Sequence, residues 1–274
     1  VVIEVGAGVT RIAVGDTVVA VSRGGAFAAE ACVPAASCFR LPPSLPHALL
    51  LDAAGLAVAA GTADVALRRY GRLSASDVVC VTGAGGGVGT AAVQVAAGAG
   101  AMVVAVARGE QKARVLRALG ATAVVDPSTL PPTPTALRDA ILAATGNKKV
   151  TILLDSVGGA AFDGCFRAVA WGGRVVAVGF ASGSIPRPPL SLLLVKNISI
   201  HGVFWGSHMQ HAPGVIEESM ARLVAAFARG TLTVPVSHRL PLARWADAVA
   251  AMEGRAVVGK VLLVPGGAGG GARL

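Results

Sequence analysis

Two textures of hydrophobic and polar positions divide this chain. Up to about residue 40, short β-branched runs alternate with glycine turns, at 1–5, 17–21 and 28–33. That alternation predicts small all-β structure. Leu41-Pro42-Pro43 breaks it, and Ser44 is a candidate N-cap for an Ala/Leu-rich helix reaching to about Tyr70. From Asp77 the pattern changes. Strands of near-continuous hydrophobicity at 78–82, 102–107, 123–126, 150–155 and 174–179 alternate with helices at 90–97, 111–119, 134–145 and 160–170. Such strands belong to a parallel sheet covered on both faces, so the fold class is α/β and doubly wound. A sixth strand is expected at 197–202 and a helix at 215–229. The chain then leaves the sheet near 233–240, and 245–252 and 260–264 read as a last helix and strand. The glycine-rich end, 266–274, reads as a flexible tail.

The segment Val81-Thr82-Gly83-Ala84-Gly85-Gly86-Gly87-Val88-Gly89 falls between a predicted strand and helix. A dinucleotide-binding turn requires that setting. Gly86 lets the backbone approach a pyrophosphate, and Gly89 lets the helix pack against the strand. The unpaired N–H groups at Gly87 and Val88 and the positive end of the helix dipole then face the phosphates. A glycine-rich connector would not explain the regular α/β repeat downstream. The second strand bears on the choice of dinucleotide. An NAD site ends it with an acid for the ribose hydroxyls, whereas here it ends Val106-Ala107-Arg108-Gly109, with no acid before Glu110. Arg108 and Lys112 can pair instead with a 2′-phosphate, and the expected cofactor is NADPH.

Composition adds limits. The 274 residues are 54% hydrophobic, enough for one large or two modest domains, and only 4% aromatic, so Ala, Val and Leu must fill the core. The formal charge is +9, but the arginines are scattered rather than massed, which reads as a basic surface and not a nucleic-acid groove. Cys32, Cys38, Cys80 and Cys165 form no CxxC pair, and the five histidines lack ligand spacing, so no metal site is expected. Pro213 argues for a loop around His208 and His211. No apolar run is expected to span a membrane; the best, 48–63, is interrupted by Asp52. The chain opens inside what reads as a strand, like a piece of something longer.

Several short motifs, in order and spacing, carry a family likeness. They are Val14-Gly15-Asp16-Thr17-Val18, Gly61-Thr62-Ala63, the Gly83–Gly89 turn, Leu119-Gly120-Ala121 and Asp155-Ser156-Val157-Gly158-Gly159. Gly172-Gly173-Arg174, Gly179-Phe180-Ala181-Ser182-Gly183, Lys196-Asn197 and Gly259-Lys260-Val261 follow. The chain resembles the zinc-free quinone oxidoreductases (zeta-crystallin-like) of the medium-chain dehydrogenase/reductase superfamily, from about Val2 to Val264 and without their opening strands. The resemblance implies a partial GroES-like domain at 1–67, a Rossmann domain at 68–205, and a segment at 206–274 that returns to the first domain. It implies that Thr62, Phe180 and Phe204 flank the nicotinamide, that Lys112 lies near the 2′-phosphate, and that Lys260 approaches the cofactor. A homodimer pairing the sixth strands is implied too. One departure is Pro127, where many relatives place a tyrosine after the acid.

The implied reaction is hydride transfer from NADPH to a quinone or related conjugated carbonyl, without zinc. No general acid is assigned, since water can protonate the product. Ser182, Trp205 and Tyr70 are candidate pocket residues for which packing is the plainer role. Alternatives are reduction of alkenal or enoyl C=C bonds, and a non-catalytic NADPH-binding protein, RNA-binding as some relatives are. The terminal Ala272-Arg273-Leu274 is a variant of a peroxisomal address, so cytoplasm and peroxisome are both expected locations.

Overall fold

The computed structural model describes residues 1–266; most of the glycine-rich tail and the Ala272-Arg273-Leu274 signal lie outside them. A parallel six-stranded sheet forms the body, in the order β5-β4-β3-β6-β7-β8. These strands are β3 (Val78–Thr82), β4 (Met102–Val106), β5 (Ala123–Val125), β6 (Val150–Asp155), β7 (Val169–Ala177) and β8 (Ser199–Gly202). The order reverses between β3 and β6, and a doubly wound sheet leaves its ligand crevice at that switch point. Period-two alternation sends Val79, Val81, Val103, Ala105, Ile152 and Leu154 into one core. The intervening Cys80, Val104, Val106 and Leu153 enter another on the opposite face. α4 (Pro134–Ala144) and α5 (Gly159–Arg167) cover the second core, while α2 (Gly87–Gly98), α8 (Pro213–Ala228) and the long helix His47–Tyr70 cover the first. α3 (Glu110–Ala118) links β4 to β5, and α6 (Leu190–Lys196) precedes β8. The expected Rossmann α/β architecture is present.

Outside the sheet lie two strand pairs. β1 (Val18–Ala20) runs antiparallel to β2 (Cys38–Arg40), and β9 (Val236–Pro241) runs parallel to β10 (Lys260–Val264) after α9 (Trp245–Glu253). Both β1 and β10 pack on the turn Asp52–Gly55.

Several local expectations are corrected. Residues 1–5 form no strand: Val2 alone pairs, with the turn at Gly15 and Asp16, and its neighbours have no ladder to join. Residues 28–30 are bends and 31–33 irregular, and the strand comes later at β2. The helix expected over 44–70 starts with separate 3₁₀ turns, His47–Leu49 and Asp52–Gly55. It then widens into π-turns on both sides of α1 (Gly61–Asp64). It is also, among the described residues, the one helix long and apolar enough to cross a membrane, contrary to the sequence expectation. Leu56, Ala63, Ala66 and Leu67 are fully buried against the sheet and α8, which is how a core helix behaves. The helix expected at 160–170 stops at Arg167, because Gly172 (φ +70°) and Gly173 let β7 begin early, through a register shift against β6. α7 (Trp205–His211) replaces the loop expected around His208. Pro213 opens the next helix, where its missing N–H costs nothing.

Candidate functional site

β3 ends in Thr82 and the chain turns sharply through Gly83 (φ +58°) into α2. A Cβ on Gly89 would lie 2.5 Å from both Ala84 Cα and Gly83 O, so only glycine lets α2 close on the turn. Gly86 differs. Its φ of −84° and ψ of 176° suit any residue, and a Cβ there would meet only Gly83 O, at 3.4 Å. The helix begins without a side-chain cap and without an acid in its first turn. N–H groups at Gly87, Val88 and Gly89 thus present a cradle shaped for an anion. Ala84 is fully buried, its N–H donating to Val106 O at 3.2 Å and fixing the turn to β4.

Beside the turn, Asp155 at the end of β6 is buried. It accepts from Thr82 Oγ1 at 2.5 Å and Gly158 N at 3.0 Å. Burial pushes its carboxyl above the usual range, more than the bonds from Thr82, Val157 and Gly158 pull it down. Ser156 Oγ donates to Thr82 O, so the 156–158 loop is held against the glycine turn.

The expected cofactor side chains fall into four places. Lys112 and Lys260 converge on the turn. The Lys112 stem lies over Gly85, where a Cβ would come within 2.7 Å of Cδ, and its ammonium donates to Arg255 O at 2.9 Å. The Lys260 stem crosses Gly87 in the same way, 2.8 Å from a Cβ there. Burial lowers the Lys260 ammonium below the ordinary lysine value. Arg108 is exposed beyond the end of β4, and its charge helps to hold the Asp126 carboxyl below the usual range. Phe180 and Phe204, both exposed, line a cavity of about 560 Å³ at the carboxyl ends of β7 and β8. Thr62 is not brought to that cavity: it is buried, and its hydroxyl donates to Val58 O at 2.6 Å. Trp205 packs on Gly61, where a Cβ would lie 2.5 Å from its Nε1, and Ser182 closes a local turn with Ser184 N.

Gly259 was not among the expected site residues. Its φ is +73°, its N–H donates to Gly85 O at 2.8 Å, and it bridges Gly86. The β9–β10 unit is thereby bonded to the glycine turn. A positive-φ glycine just before Lys260 leaves a weak trace in sequence; its long-range partner leaves none.

Residues 87–225 match the zinc-binding dehydrogenase family. A quinone oxidoreductase-like protein 2 homolog of Nematostella vectensis is 35% identical over 264 residues, which cover 96% of this chain and 70% of that protein. The chain belongs to the quinone oxidoreductase-like family of medium-chain dehydrogenases/reductases. Solved structures agree. The Escherichia coli quinone oxidoreductase complexed with NADPH superposes with a TM-score of 0.84 at 26% identity, covering 96% of this chain and 79% of that one. A mycobacterial protein complexed with NADPH gives 0.86 at 28% identity, covering 95% and 79%. Membership in this oxidoreductase family explains why a glycine cradle, two lysines and the 155–159 loop meet at the switch point. Among the described residues, no three His, Cys, Asp or Glu side chains gather as a metal site.

Proposed function

We propose that the chain is an NADPH-dependent, zinc-independent oxidoreductase acting on quinones or related conjugated carbonyls. One observation carries this reading: the uncapped start of α2, with Gly89 closing the turn and Gly86 leaving its outer side open. Backbone N–H groups of Gly87 to Gly89 would hold the pyrophosphate, with Lys260 beside them, while those of Ala84 and Gly86 stay bonded within the turn, to Val106 O and Gly83 O. Arg108 and Lys112 would take the 2′-phosphate, and Phe180 and Phe204 would flank the nicotinamide end. When bound, the dinucleotide supplies the hydride; the protein positions the acceptor and keeps water away. The test is NADPH oxidation with a panel of p-quinones and enones. Turnover with quinones supports the reading, and no turnover with any conjugated carbonyl opposes it.

Lys260 gives a second, independent readout. Its amine is easier to deprotonate in the free protein, because burial disfavours the charged form. A pyrophosphate alongside reverses that preference and raises the pKa. Between the two values, at alkaline pH, NADPH binding is expected to take up a proton. Calorimetry in buffers of different ionisation enthalpy detects this uptake, and Lys260→Met is expected to remove it.

The partner best supported by the surface is a second copy of the chain. β8 ends the sheet with an unpaired edge. Around it Leu190, Leu194, Val195 and Ile200 are exposed, an apolar patch that pairing of two β8 edges would cover. Light scattering is expected to report a dimer, and Leu194→Lys a shift toward monomer. A wild-type monomer at micromolar concentration removes this part.

A further inference from the structure

The cavity beyond Phe180 and Phe204 also contains groups that a dinucleotide site does not use. Tyr70, at the end of the long helix, and His208, on α7, both line it. Tyr70 Oη lies 2.9 Å from His208 Nε2, and His208 Nδ1 lies 3.0 Å from Phe204 O. A carbonyl oxygen only accepts, so Nδ1 carries a hydrogen whichever form the ring takes. Nε2 then has two options. In the neutral ring it accepts the Tyr70 hydroxyl hydrogen. In the protonated ring it donates to the Tyr70 oxygen, and that hydroxyl is released to bond elsewhere. His208 is buried, and the Tyr70 ring lies between His201 and His208, at centroid distances of 5.7 and 5.8 Å. Arg69 lines the same cavity; it is exposed and has no hydrogen-bond or ion-pair partner among the described residues.

We infer that this cavity receives the carbonyl oxygen of the acceptor, that Tyr70 donates a proton to it, and that His208 reprotonates Tyr70. This rests on the cofactor reading above, because Phe180 and Phe204 serve both. Once the acceptor has gained hydride from the reduced dinucleotide, its oxygen carries the negative charge. The Tyr70 O–H bond breaks and its proton forms the hydroxyl of the product. The phenolate oxygen then takes the Nε2 proton of the His208 imidazolium, leaving a neutral ring that regains a proton from water. The Phe204 carbonyl holds the ring in one orientation throughout, and the Arg69 guanidinium offsets the charge on the oxygen. The substrate class is thereby narrowed to acceptors whose reduction leaves charge on a carbonyl oxygen.

Tyr70→Phe keeps the ring and removes only the hydroxyl. The expected result is a fall in kcat on the order of 10²-fold with a p-benzoquinone or an enone, together with loss of the solvent deuterium isotope effect. The Kd for NADPH is expected to stay unchanged. A readout free of turnover uses 4-nitrophenolate, an aryl oxyanion, followed by its absorbance. The wild-type protein is expected to bind it, and Tyr70→Phe and Arg69→Ala each to weaken it by about tenfold. Unchanged kcat and isotope effect in Tyr70→Phe, or nitrophenolate binding indifferent to Tyr70, overturns the proposal. A wild-type protein that binds no NADPH overturns the cofactor reading instead, and the nitrophenolate titration still decides the role of Tyr70.

Discussion

Gly86→Ala is expected to raise the Kd for NADPH by about 100-fold or more, equivalent to about 2.7 kcal/mol, without lowering the melting temperature. Backbone at Gly86 is extended and open to alanine, and the added methyl meets nothing in the protein closer than 3.4 Å. The fold therefore tolerates the change. The methyl instead occupies the approach to the first N–H groups of α2, where phosphate oxygens must come within hydrogen-bonding distance. Gly89→Ala is the contrasting variant. Its methyl lies 2.5 Å from backbone atoms of Gly83 and Ala84 that have no side chain to swing aside. α2 must shift, so stability and affinity fall together, with about 1–3 kcal/mol lost from the fold. Fluorescence titration beside thermal melts separates the two. A Gly86→Ala protein that binds NADPH like the wild type would remove phosphate contact at this turn.

The second large effect concerns Arg108. Arg108→Glu is expected to weaken NADPH on the order of 100-fold while leaving NADH binding nearly unchanged. A carboxylate already lies close to this position. Burial pushes Asp126 upward, but bonds from Ser128 and Gly109 and the charge of Arg108 outweigh it, so Asp126 stays ionised to lower pH than usual. With Arg108 replaced by an acid, two negative groups face the 2′-phosphate, whereas the hydroxyl of NADH suffers no such repulsion. Lys112 does not fully substitute, since its ammonium is engaged by the Arg255 carbonyl. Parallel weakening of both cofactors by Arg108→Glu would mean that Arg108 acts on something other than the 2′-phosphate.

Much of the sheet was legible because its strands are buried on both faces. Continuous runs such as Val150–Asp155 have no other soluble use, and the helices between them are bounded by Pro134, Gly120 and Gly146. The glycine turn was legible for the same reason, since it falls where a strand must hand over to a helix. The β-rich start was not. Val1–Val5 alternates like a strand, yet strandhood depends on a neighbouring ladder that a local pattern does not encode. Residues 44–70 show helical composition, but nothing in it announces π-turns, which accompany the wedging of Trp205 against Gly61. α7 was hidden by Pro213, read as a breaker although it begins a new helix. At the site, the contact between Gly259 and the Gly85–Gly86 turn joins residues far apart in sequence. The Tyr70–His208 bond is hidden likewise, spanning 138 positions. Neither residue of that pair shows its chemistry until the fold brings them into one cavity.

On this reading a dinucleotide's phosphates rest on the start of α2. Hydrogen exchange read by mass spectrometry, with and without NADPH, tests it at the place itself. Slower exchange is expected in the peptides covering 83–90 and 258–260, with the far end of the sheet around 147–150 unchanged. Saturating NADPH that leaves exchange at 83–90 untouched in the folded protein would contradict the account.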